Sequence, residues 1–141
     1  MAGPQTVRVG ETGAKYANSV EVGTHRLIAD EPLAAGGGDT GPQPFEYLLA
    51  GLGACTSMTV RMYADRKGWK LAAVRVRLDM DKVDGPDGRG KIDRIVREIE
   101  LDGELDAEQR ARLLAIADHC PVHKFLSAEK RIETRAATSR P

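Results

Sequence analysis

The segment from Pro44 to about Lys67 constrains this chain most, because apolar residues recur along it at helical spacing while two glycines sit in its interior. Leu48, Leu52, Cys55, Met58 or Thr59, and Met62 follow one another at intervals of three or four, which predicts one amphipathic helix with a cysteine on its apolar seam. Pro44 suits the first turn, where its missing N–H costs nothing, and Gly68 suits the end. The run Gly51-Leu-Gly-Ala54 is unusual inside a helix, since each glycine costs ~1 kcal/mol relative to alanine. Small residues kept at that cost let another backbone approach, so the helix is expected to pack against a partner at very short range.

Around it the pattern is that of a strand-rich domain. Val7 to Val9, Tyr16 to Val22 and His25 to Ala29 read as short strands, with Gly23-Thr24 as a tight turn, which makes a small antiparallel meander. Ala34 to Pro44 is a glycine- and proline-rich loop. Ala73 to Asp81 alternates cleanly, with Val74, Val76, Leu78 and Met80 on one face and Arg75, Arg77, Asp79 and Asp81 on the other. Asp84 to Gly90 is a hairpin loop, and Lys91 to Leu101 returns as a second strand. Asp106 followed by Gln109 predicts a capping box opening a helix to His119, with Leu113, Ile116 and Cys120 on its seam and Pro121 ending it. A helical turn from His123 to Ala128 and a last strand from Arg131 to Thr134 complete an α+β fold, expected as one domain over residues 1–141.

Composition excludes several functions. The chain has 21 basic and 21 acidic residues, interspersed, which argues against nucleic-acid binding, and aromatic residues are only 4%. No window approaches the ~18 apolar residues of a membrane span, and the N-terminus has no apolar signal core, so a soluble, cytoplasmic protein is expected. Two cysteines in a chain of this size are not a disulfide scaffold.

Cys55 and Cys120 fall on the seams of two different predicted helices, so their sulfurs can meet if both helices pack in one core. Two small buried hydrophobes or a redox couple both fit that placement. Cys55 lies eleven residues past Pro44, too deep in the helix to be activated by its N-terminus, so an activating cation must come from elsewhere. His119, Cys120 and His123, with Cys55 or His25, also form a sparse set of metal donors, short of the paired motifs of structural zinc. His123 can tune a thiol, cap a helix or sit at the surface.

At these residues the sequence resembles the OsmC/Ohr family, the osmotically inducible and organic hydroperoxide resistance proteins. The resemblance rests on Gly41-Pro-Gln-Pro-Phe-Glu-Tyr-Leu-Leu-Ala-Gly-Leu-Gly-Ala-Cys55-Thr-Ser-Met, on the following hairpin, and on Cys120-Pro-Val-His123, within a span from about Tyr16 to Thr134. It implies an OsmC-like fold in which antiparallel sheets wrap two central helices in an intertwined homodimer, with active sites at the subunit interface. It further implies that Cys55 attacks an organic hydroperoxide and becomes a sulfenic acid, that Cys120 resolves it as a disulfide, and that an external dithiol, typically lipoyl-linked, restores the pair. The family needs no metal or organic prosthetic group.

The chain departs from the family where the thiolate is activated. Family reductases place an arginine on an early strand and a glutamate ten residues before the reactive cysteine; here those positions are the Glu11 to Gly13 turn and Phe45. Glu46 is one residue off, a rotation of roughly 100° on a helix. Arg97 shares an apolar strand face with Ile95, Ile99 and Leu101 and is the candidate replacement cation, with Arg26 and Arg61 as alternatives and His123 as a further supporting group. The reading is a thiol-dependent peroxidase; the alternative is a redox-sensing or small-ligand-binding protein that keeps the fold and turns over little.

Overall fold

The computed structural model describes residues 3–138, which form an α+β fold of five antiparallel strands and three α-helices. The described residues divide into two compact units, one running up to Leu48 together with those from Arg131 on, the other Leu49–Lys130. Among the described residues no helix is long and apolar enough to cross a membrane.

In the first unit β1 (Val7–Glu11), β2 (Asn18–Val22) and β3 (His25–Ala29) form a meander, in register from Val7 opposite Val22 to Val22 opposite His25. The glycine-rich loop after it begins with a 3-10 turn, Leu33–Ala35. Buried Asp30 holds this loop in place. Its carboxylate accepts from the Glu31 N–H (2.8 Å) and from the Thr40 N–H (3.1 Å) and hydroxyl (2.6 Å). The Thr40 hydroxyl, and then its N–H, hold the Asp30 carboxyl below its ordinary value. Val7, Val9, Leu27 and Ile28 stay exposed, so the meander buries little apolar surface within the chain.

Helix α1 spans Pro44–Lys67, the predicted limits. Its end is a Schellman motif: Gly68 has φ 69°, its N–H reaches Asp65 O (3.1 Å), and the Trp69 N–H reaches Ala64 O (2.9 Å). The buried stripe is Leu52, Gly53, Cys55, Thr56, Val60 and Ala64, whereas Leu48, Met58 and Met62 of the predicted seam are each more than half exposed. The seam is thus rotated toward Val60 and Ala64, because the hairpin lies on that side. The two glycines differ accordingly. A Cβ on Gly53 would come within 2.7 Å of Leu78 Cδ1, while one on Gly51 would meet nothing.

The second unit packs α1 on a long hairpin, β4 (Lys70–Asp84) and β5 (Lys91–Glu104), with Leu78 opposite Arg97. A bulge between Leu71 and Ala73 offsets the register where Gly103, at φ 139°, lets the strands close up. A Cβ there would strike the Lys70 carbonyl oxygen. Along the hairpin, pairs such as Arg75–Glu100 and Arg94–Asp81 on the outer face, and Lys82–Asp93 near its tip, are exposed and contribute little each.

Helix α2 (Ala107–Ala117) opens on the predicted capping box, with the Gln109 N–H on Asp106 Oδ1 at 2.7 Å and the Asp106 N–H on Gln109 Oε1 at 3.0 Å. It ends two residues earlier than predicted. Cys120 is not on its seam but is the N-cap of α3 (Pro121–Ser127). Residues 131–134, expected as a strand, are not in one, because their local alternation finds no neighbouring edge among the described residues.

Two apolar clusters result within the second unit. Val60, Ala64, Leu71, Leu113 and Ala117 form one, and Leu52, Cys55 and Cys120, with Leu78, Val122 and Leu126, form the other.

Candidate active site

Cys55 and Cys120 do meet. Neither is in a disulfide; they are 4% and 0% exposed and pack in one buried cluster. Cys55 is presented by the buried stripe of α1; Cys120 is turned inward because Pro121 starts α3 directly after it. The Cys120 Sγ accepts from the His123 N–H at 3.4 Å, capping α3. Burial pushes the Cys55 thiol up and the Cys120 thiol adds to that, while the Val122 N–H and the Thr59 hydroxyl act in the opposite sense. The Thr59 oxygen itself is buried, with no hydrogen bond of good geometry.

Arg97 reaches this cluster from β5 with a side chain 11% exposed. Its Nη1 donates to Thr56 Oγ1 (2.9 Å), the residue after Cys55, and its Nη2 donates to Asp118 Oδ1 (2.9 Å) and lies 3.1 Å from His123 Nδ1. Thr56 in turn donates to Leu52 O at 2.7 Å. One guanidinium therefore ties α1, the end of α2 and α3 together around the two sulfurs. Arg97, His123, Leu52, Ile95 and Leu126 line a cavity of about 130 Å³. Leu52 and Leu126 also belong to the cluster that holds the sulfurs, so cavity and thiols share a wall.

The other sequence candidates are placed differently. The Arg61 Nη1 and Nη2 donate to the carbonyls of Leu71 (2.6 Å) and Ala72 (3.2 Å), so this arginine clamps the β4 bulge. Arg26 and Glu46 belong to the first unit and have partners there: Arg26 pairs with Glu21 at 2.9 Å, and Glu46 Oε1 accepts from the Gln43 N–H at 3.0 Å. Among the described residues no three His, Cys, Asp or Glu side chains are grouped to hold a metal ion. A larger cavity of about 670 Å³, lined by Tyr63, Lys67, Trp69 and Arg112 among others, holds neither cysteine.

Thr56 and Asp118 were missed from the sequence. Thr56 was legible as the residue four past Leu52 on the buried stripe. Asp118 carried no local signal, because its role depends on an arginine 21 residues earlier.

The OsmC-like protein family matches residues 36–135. No curated protein sequence matches the chain. Among solved structures, an OsmC-like protein from Mycoplasma pneumoniae is 17% identical with a TM-score of 0.73, covering 90% of this chain and 89% of that one. An organic hydroperoxide resistance protein OsmC from Legionella pneumophila is 19% identical with a TM-score of 0.65, covering 89% and 90%. An organic hydroperoxide resistance protein from Elizabethkingia anophelis, with thiocyanate bound, is 19% identical with a TM-score of 0.61, covering 89% and 90%. The strand and helix order, the fold likeness and a match over most of its length together establish that this chain belongs to the OsmC-like protein family.

Proposed function

We propose that the protein is a thiol-dependent peroxidase that reduces organic hydroperoxides through Cys55 and Cys120. The observation that carries this is the contact of two buried thiols in one apolar cluster beside a nearly buried arginine. Cys55 thiolate attacks the distal oxygen, an alcohol leaves, and the sulfenic acid condenses with the Cys120 thiol to a disulfide and water. An external dithiol of the lipoyl-linked class returns both sulfurs to thiols. The direct contact supports resolution within one chain, since a sulfenic acid on Cys55 forms against its resolving partner.

A second copy of the chain fits this reading. Leu48, Met58 and Met62 on α1 are exposed, the Gly51 Cβ position is open, and the β1 valines are exposed. A homodimer covering such surfaces is what the family likeness implies.

The raised Cys55 thiol favours a second reading, a slow redox sensor or binder of small apolar ligands. Single turnover separates the two. One equivalent of organic hydroperoxide is expected to consume both thiols within seconds, and Cys55→Ser to abolish this; loss over hours, or no preference over hydrogen peroxide, would leave the sensor reading.

A further inference from the structure

The Arg97–His123 contact decides which imidazole nitrogen carries the proton. A guanidinium only donates, so His123 Nδ1, 3.1 Å from Arg97 Nη2, is an acceptor and the proton of the neutral ring sits on Nε2. Asp118 does not compete for Nδ1: its Oδ1 lies 3.9 Å away and is engaged by Arg97 at 2.9 Å. The ring lines the 130 Å³ cavity, whose side-chain walls at Leu52, Ile95 and Leu126 offer no acceptor. The His123 side chain is 36% exposed, so an Nε2–H is open to a molecule that enters beside it.

We infer that His123 donates its Nε2 proton to the oxygen that leaves when the peroxide bond breaks, and that Arg97 is the positioning residue keeping that proton on Nε2. The inference rests on the peroxidase reading above. Cys55 first releases its thiol proton to solvent. The thiolate then forms a bond to the distal oxygen as the O–O bond breaks, the sulfur losing two electrons and the peroxide gaining two. The leaving alkoxide takes the Nε2 proton and departs as alcohol. The ring recovers a proton from solvent, matching the one the thiol released, so thiol and hydroperoxide become sulfenic acid and alcohol with nothing left over. A neutral imidazole is a weak acid, but a fixed positive group at its other nitrogen favours the charge that develops when it gives up the proton. Arg97 stands at that nitrogen.

The test uses two oxidants whose leaving groups differ in need. tert-Butyl hydroperoxide leaves as an alkoxide that must be protonated, whereas peracetic acid leaves as acetate, which need not be. In the full chain, His123→Leu is expected to slow Cys55 oxidation by tert-butyl hydroperoxide about 100-fold and oxidation by peracetic acid less than about threefold. Arg97→Gln should show the same selectivity at smaller size. Equal losses with both oxidants, or no loss with either, overturn the inference. Nitrogen-15 NMR of the wild-type imidazole checks it without any variant: an Nε2–H tautomer supports it and an Nδ1–H tautomer overturns it. The peroxidase reading fails separately, if wild-type protein is not oxidised rapidly by tert-butyl hydroperoxide.

Discussion

Two apolar clusters share α1 and the β4–β5 hairpin, and each is bordered by one arginine, yet the two arginines bind different things. Beside Val60, Leu71 and Leu113, the Arg61 guanidinium bonds the backbone carbonyls of Leu71 and Ala72. Beside Cys55 and Cys120, Arg97 bonds the side chains of Thr56, Asp118 and His123. Carbonyls neither titrate nor turn, and the one carboxylate near Arg61, Asp65 at 3.6 Å, is an exposed neighbour on the same helix, so the first arrangement mainly stabilises a bulge. Side chains can change proton, tautomer and rotamer, so the second is suited to chemistry. The clusters differ in content as well: the buried members of one are all aliphatic, while the other contains two polarizable thiols beside the cavity that Arg97 and His123 line.

Truncating the aliphatic cluster should have the largest effect on stability. Leu113, fully buried, is expected on Leu113→Ala to cost about 3 kcal/mol in urea unfolding, with no change in thiol oxidation rate per folded molecule. The thiol cluster should respond in the opposite pattern. Cys120→Ala is expected to cost only about 1–2 kcal/mol, yet to leave Cys55 trapped as sulfenic acid after one turnover, visible by mass spectrometry.

The arginines sharpen the contrast. Arg61→Gln and Arg97→Gln should each cost about 1–2 kcal/mol, but only Arg97→Gln should slow Cys55 oxidation. Equal kinetic effects from both would erase the distinction. The smallest effect is a pH dependence. Because burial and the Cys120 thiol raise Cys55 above 9.0, the folded state favours the neutral thiol. That contribution is complete below the unfolded thiol's pKa and is lost as pH rises from there through the folded value. Alkylation of Cys55 by iodoacetamide should therefore rise at higher pH than alkylation of a free thiol, and alkaline unfolding should begin slightly later in Cys55→Ala. A profile at or below the free-thiol range would mean that a cation already activates Cys55 in this state.

Local signals carried much of the fold. Helix α1 was legible to its end residues, because Pro44 and Gly68 act within one turn of themselves, and the Asp106–Gln109 capping box was legible for the same reason. Strand β4 followed from alternation, and the other strands from the turn residues between them. The buried face of α1 did not: Leu48, Met58 and Met62 are as apolar as the residues that replaced them, and only the position of the hairpin selects Val60 and Ala64. Residues 131–134 alternate like a strand without belonging to one, since a strand needs an edge to pair with and alternation cannot supply it. Arg97 was legible as a cation on an apolar strand face, but its partners were not.

The sequence by itself determined most of the elements, the two ends of α1, the capping box of α2 and the place of Cys55 on the apolar seam of its helix. Those are properties of residue type and of spacing over a few positions, where helix period and turn chemistry act. Tertiary structure alone decided that the two cysteines share one buried cluster, that Arg97 rather than Arg61 stands at it, and that Thr56, Asp118 and His123 are what Arg97 holds. The three Arg97 contacts join residues 21 to 41 positions apart, at distances near 3 Å, and an interaction of such short range between such distant residues exists only once the chain has folded.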